Sequence, residues 1–163
     1  MKHAFYHDIS LEPLCKAHLD DLAVHLRRED KAELWAAYRL PVRQALQDCA
    51  RKSAAAFALV RRGRTMAAAG VEAQSLLGRR ACVWSWTGRD VLFCPKLFWR
   101  FSCIVRDYFL SLYPQLYAAC DVRYAAAQRY LRRLGACATK EKIYLAGKET
   151  RFVLYVFERP KEA

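Results

Sequence analysis

The chain has 163 residues and carries 28 basic against 16 acidic side chains, a formal charge of +12. A hydrophobic fraction of 55% with 13% aromatics excludes a disordered chain, and the length suffices to bury a real core. No apolar run approaches a membrane span, and the opening "MKHAFYHDIS" lacks the uninterrupted apolar centre of a secretory leader, so an intracellular location is expected.

In chain order, a short opening segment precedes "HLDDLAVHL", where Leu19, Leu22 and Leu26 recur at helical spacing. "REDKAELWAAY" restarts a helix, with Asp30 and Glu33 spaced as a capping box and Leu34 and Tyr38 on one face. Pro41 suits a first helical turn, and Val42, Ala45, Leu46 and Cys49 follow it as an apolar stripe. The period then changes. "AAAFALV" and "TMAAAGVEA" flank "RRGR", whose Gly63 suits a tight hairpin, and Gly70 reads as a bulge or bend. A second turn at "LLGRR" leads into the β-rich "ACVWSWTG", completing a meander of three strands in which Trp84 and Trp86 share a face expected to be core.

Pro95 opens the longest helix, with Leu97, Phe98, Phe101, Ile104, Val105, Tyr108, Phe109 and Leu112 on its apolar stripe and Pro114 as its stop. "QLYAACDV" reads as a buried strand. In the following helix, Tyr124, Ala127, Tyr130, Leu131 and Leu134 form one arc opposite Arg129, Arg132 and Arg133, and Gly135 ends it. "KIYLA" and "RFVLYVF" close the chain as strands of a hairpin around Gly147. Without linker, repeat or low-complexity tract, residues 1–163 read as a single domain. The expected class is α/β (α+β): a mixed, mainly antiparallel sheet of about six to seven strands flanked by about four to five helices.

Chemistry-bearing residues are sparse. The seven cysteines form no close-spaced pair and mostly sit in apolar segments, which favours reduced, buried side chains. His3, His7, His18 and His25 lack the further ligands a metal site needs, so no metal is expected. The arginines are scattered, with local clusters at Arg61, Arg62, Arg64, Arg79 and Arg80 and at Arg129, Arg132 and Arg133. Such charge attracts nucleic acid nonspecifically, but no zinc finger or RNA-binding motif accompanies it.

The element order, with "DVRYAAAQRYLRRLGA" as the last helix, resembles the Gcn5-related N-acetyltransferase (GNAT) fold. More narrowly, "HLDDLAVHLRREDKAELWAAY", "SLLG" and "CDVRYAAAQRYLRRLGA" together resemble a phage family of GNAT-like proteins related to a small internal virion protein of short-tailed phages. The resemblance spans about residues 15 to 158 and implies acetyl-CoA as cofactor and transfer of its acetyl group to an amine. It places the pantetheine arm against backbone groups of Trp86 and Thr87, and phosphate near Gly88 and Arg89. Asp121 and Glu72 are then the candidate bases and Tyr124 a further catalytic candidate, although Asp121 equally suits a turn or N-cap, Glu72 a solvated strand and Tyr124 packing.

The chain departs from the GNAT pattern where the chemistry sits. The Arg/Gln-x-x-Gly-x-Gly/Ala phosphate loop is replaced by "TGRDVLFCPK". Tyr124 occupies the usual Asn position of the last helix and Leu131 the usual Tyr position, with Tyr130 about 100° around the helix. Three function classes follow: a divergent N-acetyltransferase, a non-catalytic assembly or virion component in the host cytoplasm or the virion, and a basic nucleic-acid-associated module.

Overall fold

The computed structural model describes residues 3–6, 8–74, 78–146 and 150–159. Gly147, the expected centre of the last hairpin, and Ser75, Leu76 and Leu77 of "SLLG" lie outside them, as does His7. The elements are β1 (His3–Tyr6), β2 (Ile9–Pro13), α1 (Lys16–His25), α2 (Arg28–Tyr38), α3 (Val42–Lys52), β3 (Ala55–Arg61), β4 (Arg64–Ala73) and β5 (Arg80–Thr87). A 3-10 turn (Arg89–Phe93), α4 (Pro95–Leu112), β6 (Gln115–Asp121), α5 (Ala125–Arg133), β7 (Cys137–Tyr144) and β8 (Arg151–Glu158) complete the order. None of the described helices is long and apolar enough to cross a membrane.

The strands form one mixed sheet in the order β1-β2-β3-β4-β5-β6-β8-β7. Every neighbouring pair is antiparallel except β5 with β6, where α4 supplies the crossover that a parallel pair requires. The β3–β4 hairpin turns on Arg62 and Gly63, both at positive φ (51° and 75°), the pairing a two-residue turn of this hand needs.

Helices cover both faces. On one, Phe101, Val105 and Phe109 of α4 and Leu134 after α5 pack with Leu59, Met66, Val71, Leu116, Tyr155 and Phe157 from the strands. On the other, Leu19 and Leu22 of α1, Leu34 of α2 and Leu46 and Cys49 of α3 pack with Trp86, and Trp84 joins them at the margin. The last helix ends on a Schellman motif. Ala136 N–H donates to Leu131 O and Gly135 N–H to Arg132 O, both at 3.0 Å, with Gly135 at φ 102°.

Three expectations need revision. The opening segment is two strands, β1 and β2, which take the outer edge beside β3. The strand before the last turn begins at Cys137, well ahead of "KIYLA", because an edge strand with one solvated face can carry Thr139, Lys140, Glu141 and Lys142. Gly70 marks no bulge: β4 keeps regular register there against both β3 and β5. Its place is steric. A Cβ at residue 70 would lie 2.5 Å from Cζ2 of Trp84 and 2.7 Å from Oγ of Ser53, and the indole cannot swing away because its Nε1–H donates to that Oγ at 2.9 Å.

Gly70→Ala is therefore expected to destabilise the protein by about 1–3 kcal/mol, the cost of overpacking a pinned contact. Urea titration followed by tryptophan fluorescence measures it. Gly63→Ala, which meets nothing within 4 Å, is expected to cost only the left-handed backbone strain of about 1 kcal/mol.

Candidate functional site

The parallel ladder between β5 and β6 runs only from Arg80↔Gln115 to Cys82↔Tyr117. Beyond it β5 continues to Thr87 and β6 to Asp121 without pairing with each other, so the strands splay. The connector between α1 and α2 enters this opening. Leu26 bridges Gly88, and Arg27 N–H donates to Thr87 O at 3.0 Å. Gly88 N–H already faces β4, donating to Met66 O, so by the alternation of strand backbone Thr87 O looks into the opening.

α2 follows at once and carries two carboxylates into the same place. Asp30 and Glu33, only 5% and 9% exposed, lie three residues apart and share the inward face with Leu34 and Ala37. They do not close the capping box expected from their spacing. Thr87 Oγ1 donates to Asp30 Oδ2 at 2.5 Å, and Asp121 N–H donates to Glu33 Oε1 at 2.7 Å. One helix thus binds the end of each splayed strand.

Burial dominates the protonation of both groups. It pushes Asp30 up to about 6, against the Thr87 hydrogen bond and the Arg27 charge, whose Nε stands 3.7 Å away. Glu33 is pushed up to about 7 by burial, reinforced by the charges of Asp30 and Asp121 and opposed by the Asp121 N–H bond. Burial and then the Glu33 charge also hold the Cys120 thiol well above the usual range. Such a site can hold a proton near neutral pH, the property required of an acid or base.

The residues singled out from the sequence fall into three places. Asp121 ends β6 at the opening, its oxygens held by Arg123 through the guanidinium (2.7 Å) and the backbone N–H (2.8 Å), as in an Asx turn. Burial opposes its ionisation, but the Arg123 contacts prevail and hold the carboxyl below the usual range. Tyr124 stands beside it at the N-cap of α5, its hydroxyl accepting from Arg27 and its ring 5.7 Å beneath that guanidinium. Burial is the first of the influences holding the phenol well above the ordinary value. Thr87 and Gly88 also line the opening, whereas the Trp86 side chain points to the helical face opposite α4, its Nε1 without a hydrogen-bond partner. Arg89 is exposed on the 3-10 turn. Glu72 pairs with Cys82 in the β4–β5 register while Ala67 pairs with Thr87, so it stands at the other end of the strand from the opening, about 17 Å along it.

No protein-family model matches the chain, and no curated protein matches it. Solved structures do. A GCN5-related N-acetyltransferase from Brucella melitensis superposes with a TM-score of 0.70 at 13% identity, covering 97% of this chain and 78% of that one. A ribosomal-protein alanine acetyltransferase from Vibrio fischeri gives 0.66 at 11% identity, covering 99% and 98%. A ribosomal alpha-N-protein acetyltransferase in complex with coenzyme A gives 0.60 at 14% identity, covering 99% and 100%. The fold is that of the GNAT acetyltransferases.

The resemblance puts acetyl-CoA against the splayed strands and the stretch before α4, and at both places backbone groups it would use are engaged within the chain. The 3-10 turn closes on itself. Val91 N–H donates to Gly88 O and Cys94 N–H to Val91 O, Pro95 has no N–H to give, and Leu97 and Phe98 N–H both donate to Cys94 O. Those groups are spent within the chain instead of converging on a pyrophosphate, and the Asp90 carboxylate in the turn is paired with Arg64 at 3.2 Å. At the strand edge, Thr87 O, which pantetheine would use, is taken by Arg27 N–H.

The raised carboxyls fix a pH dependence. Folded Asp30 and Glu33 hold protons that the unfolded chain releases near pH 4, so the native state binds more protons between about 4 and 7. Stability should therefore fall as pH rises through that window and level off above it, by on the order of 3 kcal/mol for each of the two groups. Glu33→Gln, which keeps an acceptor for Asp121 N–H, should flatten the upper part of this slope in urea titrations between pH 5 and pH 8.

Proposed function

We propose that this chain is a GNAT-fold protein of the phage type that works by binding, as an assembly or virion component, and not by acetyl transfer. The observation that supports the reading is that Arg27 N–H takes Thr87 O and that the turn ahead of α4 closes on itself, at the two places where the resemblance puts pantetheine and phosphate. The phage assignment draws on the resemblance of "HLDDLAVHLRREDKAELWAAY" and "CDVRYAAAQRYLRRLGA". The α4–α5 junction fits the same reading. The Tyr130 ring stacks on Phe98 (5.2 Å between centroids), meets Trp99 edge-on (5.7 Å), and its hydroxyl donates to Ser102 Oγ at 2.8 Å, so the tyrosine next to the usual Tyr position is engaged in packing α5 on α4.

A second reading, an acetyl-CoA-dependent N-acetyltransferase acting on an amine, is favoured by one observation: Glu33, with a proton affinity near neutral, stands at the splay. In that reading Glu33 takes the place given from sequence to Asp121 and Glu72. The Arg123 contacts lower the proton affinity of Asp121 and leave it a weak base, and Glu72 lies far along the strand.

Acetyl-CoA at millimolar concentration separates the two. The binding-protein reading expects a melting midpoint unchanged within about 1 °C and no heat of binding by calorimetry. A ligand present at 100 times its Kd would stabilise by about 2.7 kcal/mol and raise the midpoint by about 5 °C or more. A shift of that size overturns the first reading, and loss of amine acetylation in Glu33→Gln would then establish the second.

A further inference from the structure

We propose that Cys15 is a histidine-activated thiol, a covalent modification site that exchanges with small-molecule disulfides. It lies outside the splay, where β2 hands over to α1. Leu14 is pinned to β3 by its N–H on Ala56 O at 3.0 Å, and Cys15 stands exposed at the N-cap of α1. Its Sγ is 3.4 Å from Nδ1 of His18, one turn into the helix.

The tautomer of His18 follows from its neighbours. Cys15 N–H lies 3.3 Å from the same Nδ1, and a backbone N–H can only donate, so Nδ1 carries the lone pair. The neutral ring then bears its proton on Nε2, which stands 3.6 Å from Oε2 of Glu12 on β2. Glu12 is itself held by Ser10, whose hydroxyl donates to Oε1 at 2.5 Å. Ser10 and Glu12 are two apart on the strand and so share a face. The order is thiol, imidazole lone pair, carboxylate: a nucleophile, a base in reach of it, and a group that orients the base. Capping α1 needs only Nδ1. The carboxylate on the far nitrogen, braced by a hydroxyl, serves the ring's orientation and its positive charge once protonated.

The exchange balances within the reacting partners. The Cys15 thiol passes its proton to His18 Nδ1 as its sulfur attacks one sulfur of the small disulfide. The S–S bond breaks, and the departing thiolate takes that proton from Nδ1. One thiol and one disulfide enter, one thiol and one mixed disulfide leave, and no outside oxidant is consumed.

The chain contains its own control. Cys137 is also exposed but lies on β7, at the opposite edge of the sheet from β1 and β2, and His18 and His25 are both engaged elsewhere. Cys49 and Cys120 are buried. The reduced full chain, treated with less than one equivalent of 4,4′-dithiodipyridine and mapped by peptide mass, should show Cys15 modified at least about tenfold faster than Cys137, the scale of general-base assistance. His18→Gln preserves an acceptor for the cap but cannot take up a proton, and should bring the two rates to within about twofold of each other with unchanged circular dichroism. Glu12→Gln should fall between them, and in denaturing guanidinium all three proteins should show equal rates at the two sites. Equal rates at Cys15 and Cys137 in the native protein, or a His18→Gln protein with the wild-type ratio, would overturn the proposal.

Discussion

The arrangement of the sheet depends on how α2 holds two strands that have stopped pairing. A parallel ladder that ends at Cys82↔Tyr117 leaves the tips of β5 and β6 with backbone groups facing an opening, and such groups are costly to bury alone. Asp30 answers the Thr87 hydroxyl, Glu33 answers Asp121 N–H, and Arg27 answers Thr87 O. Three neighbouring side-chain and backbone groups of one connector and one helical turn thereby replace the ladder. The cost is carried by the carboxyls, which sit where charge is poorly solvated and keep their protons to unusually high pH.

The same economy governs the arginines. Arg106 donates to Leu134 O where α5 ends, and Arg159 reaches Leu110 O and Ser111 O where α4 ends, so both satisfy carbonyls that a helix C-terminus leaves open and place positive charge at the negative end of the dipole. Arg62 pairs with Asp8, Arg64 with Asp90 and Arg123 with Asp121. Arg133 lies over Trp99 and Arg132 over Tyr155. Several of the arginines that read in the sequence as an electrostatic attractant are therefore engaged in joining elements.

The parts of the fold that could be read from sequence are those with strong apolar periodicity: the stripe of α4, the arc of α5 with its glycine stop, and the meander of β3 to β5. The first part of β7, ahead of "KIYLA", escaped because an edge strand with polar residues on its solvated side shows no alternation, and β1 and β2 because nothing in "HAFYHDISLEP" marks a turn between them. Asp30 and Glu33 were misread for a sharper reason. Their spacing is that of a capping box, and only their coincidence with the Leu34 and Ala37 face signals that they point inward. The closed turn ahead of α4 was legible as missing glycines, whereas Arg27 on Thr87 O is a backbone contact on which side-chain identity is silent.

The splay also divides the sheet by chain order. Everything from β1 to β5 lies before residue 88, everything from β6 to β7 lies after residue 114, and among the described residues the two parts of the sheet are joined strand to strand by three parallel pairs, from Arg80↔Gln115 to Cys82↔Tyr117. A chain emerging from a ribosome can build the first part before the second exists. Before β6 is made, Glu33 has no Asp121 N–H to accept from, and an ordinary solvated carboxyl is ionised at neutral pH. When β6 arrives, burial raises the proton affinity of the group towards neutral, and part of the population takes up a proton. The last joining of the two halves is therefore a proton-consuming event, and the acidity of the compartment enters the energetics of assembly at its final step.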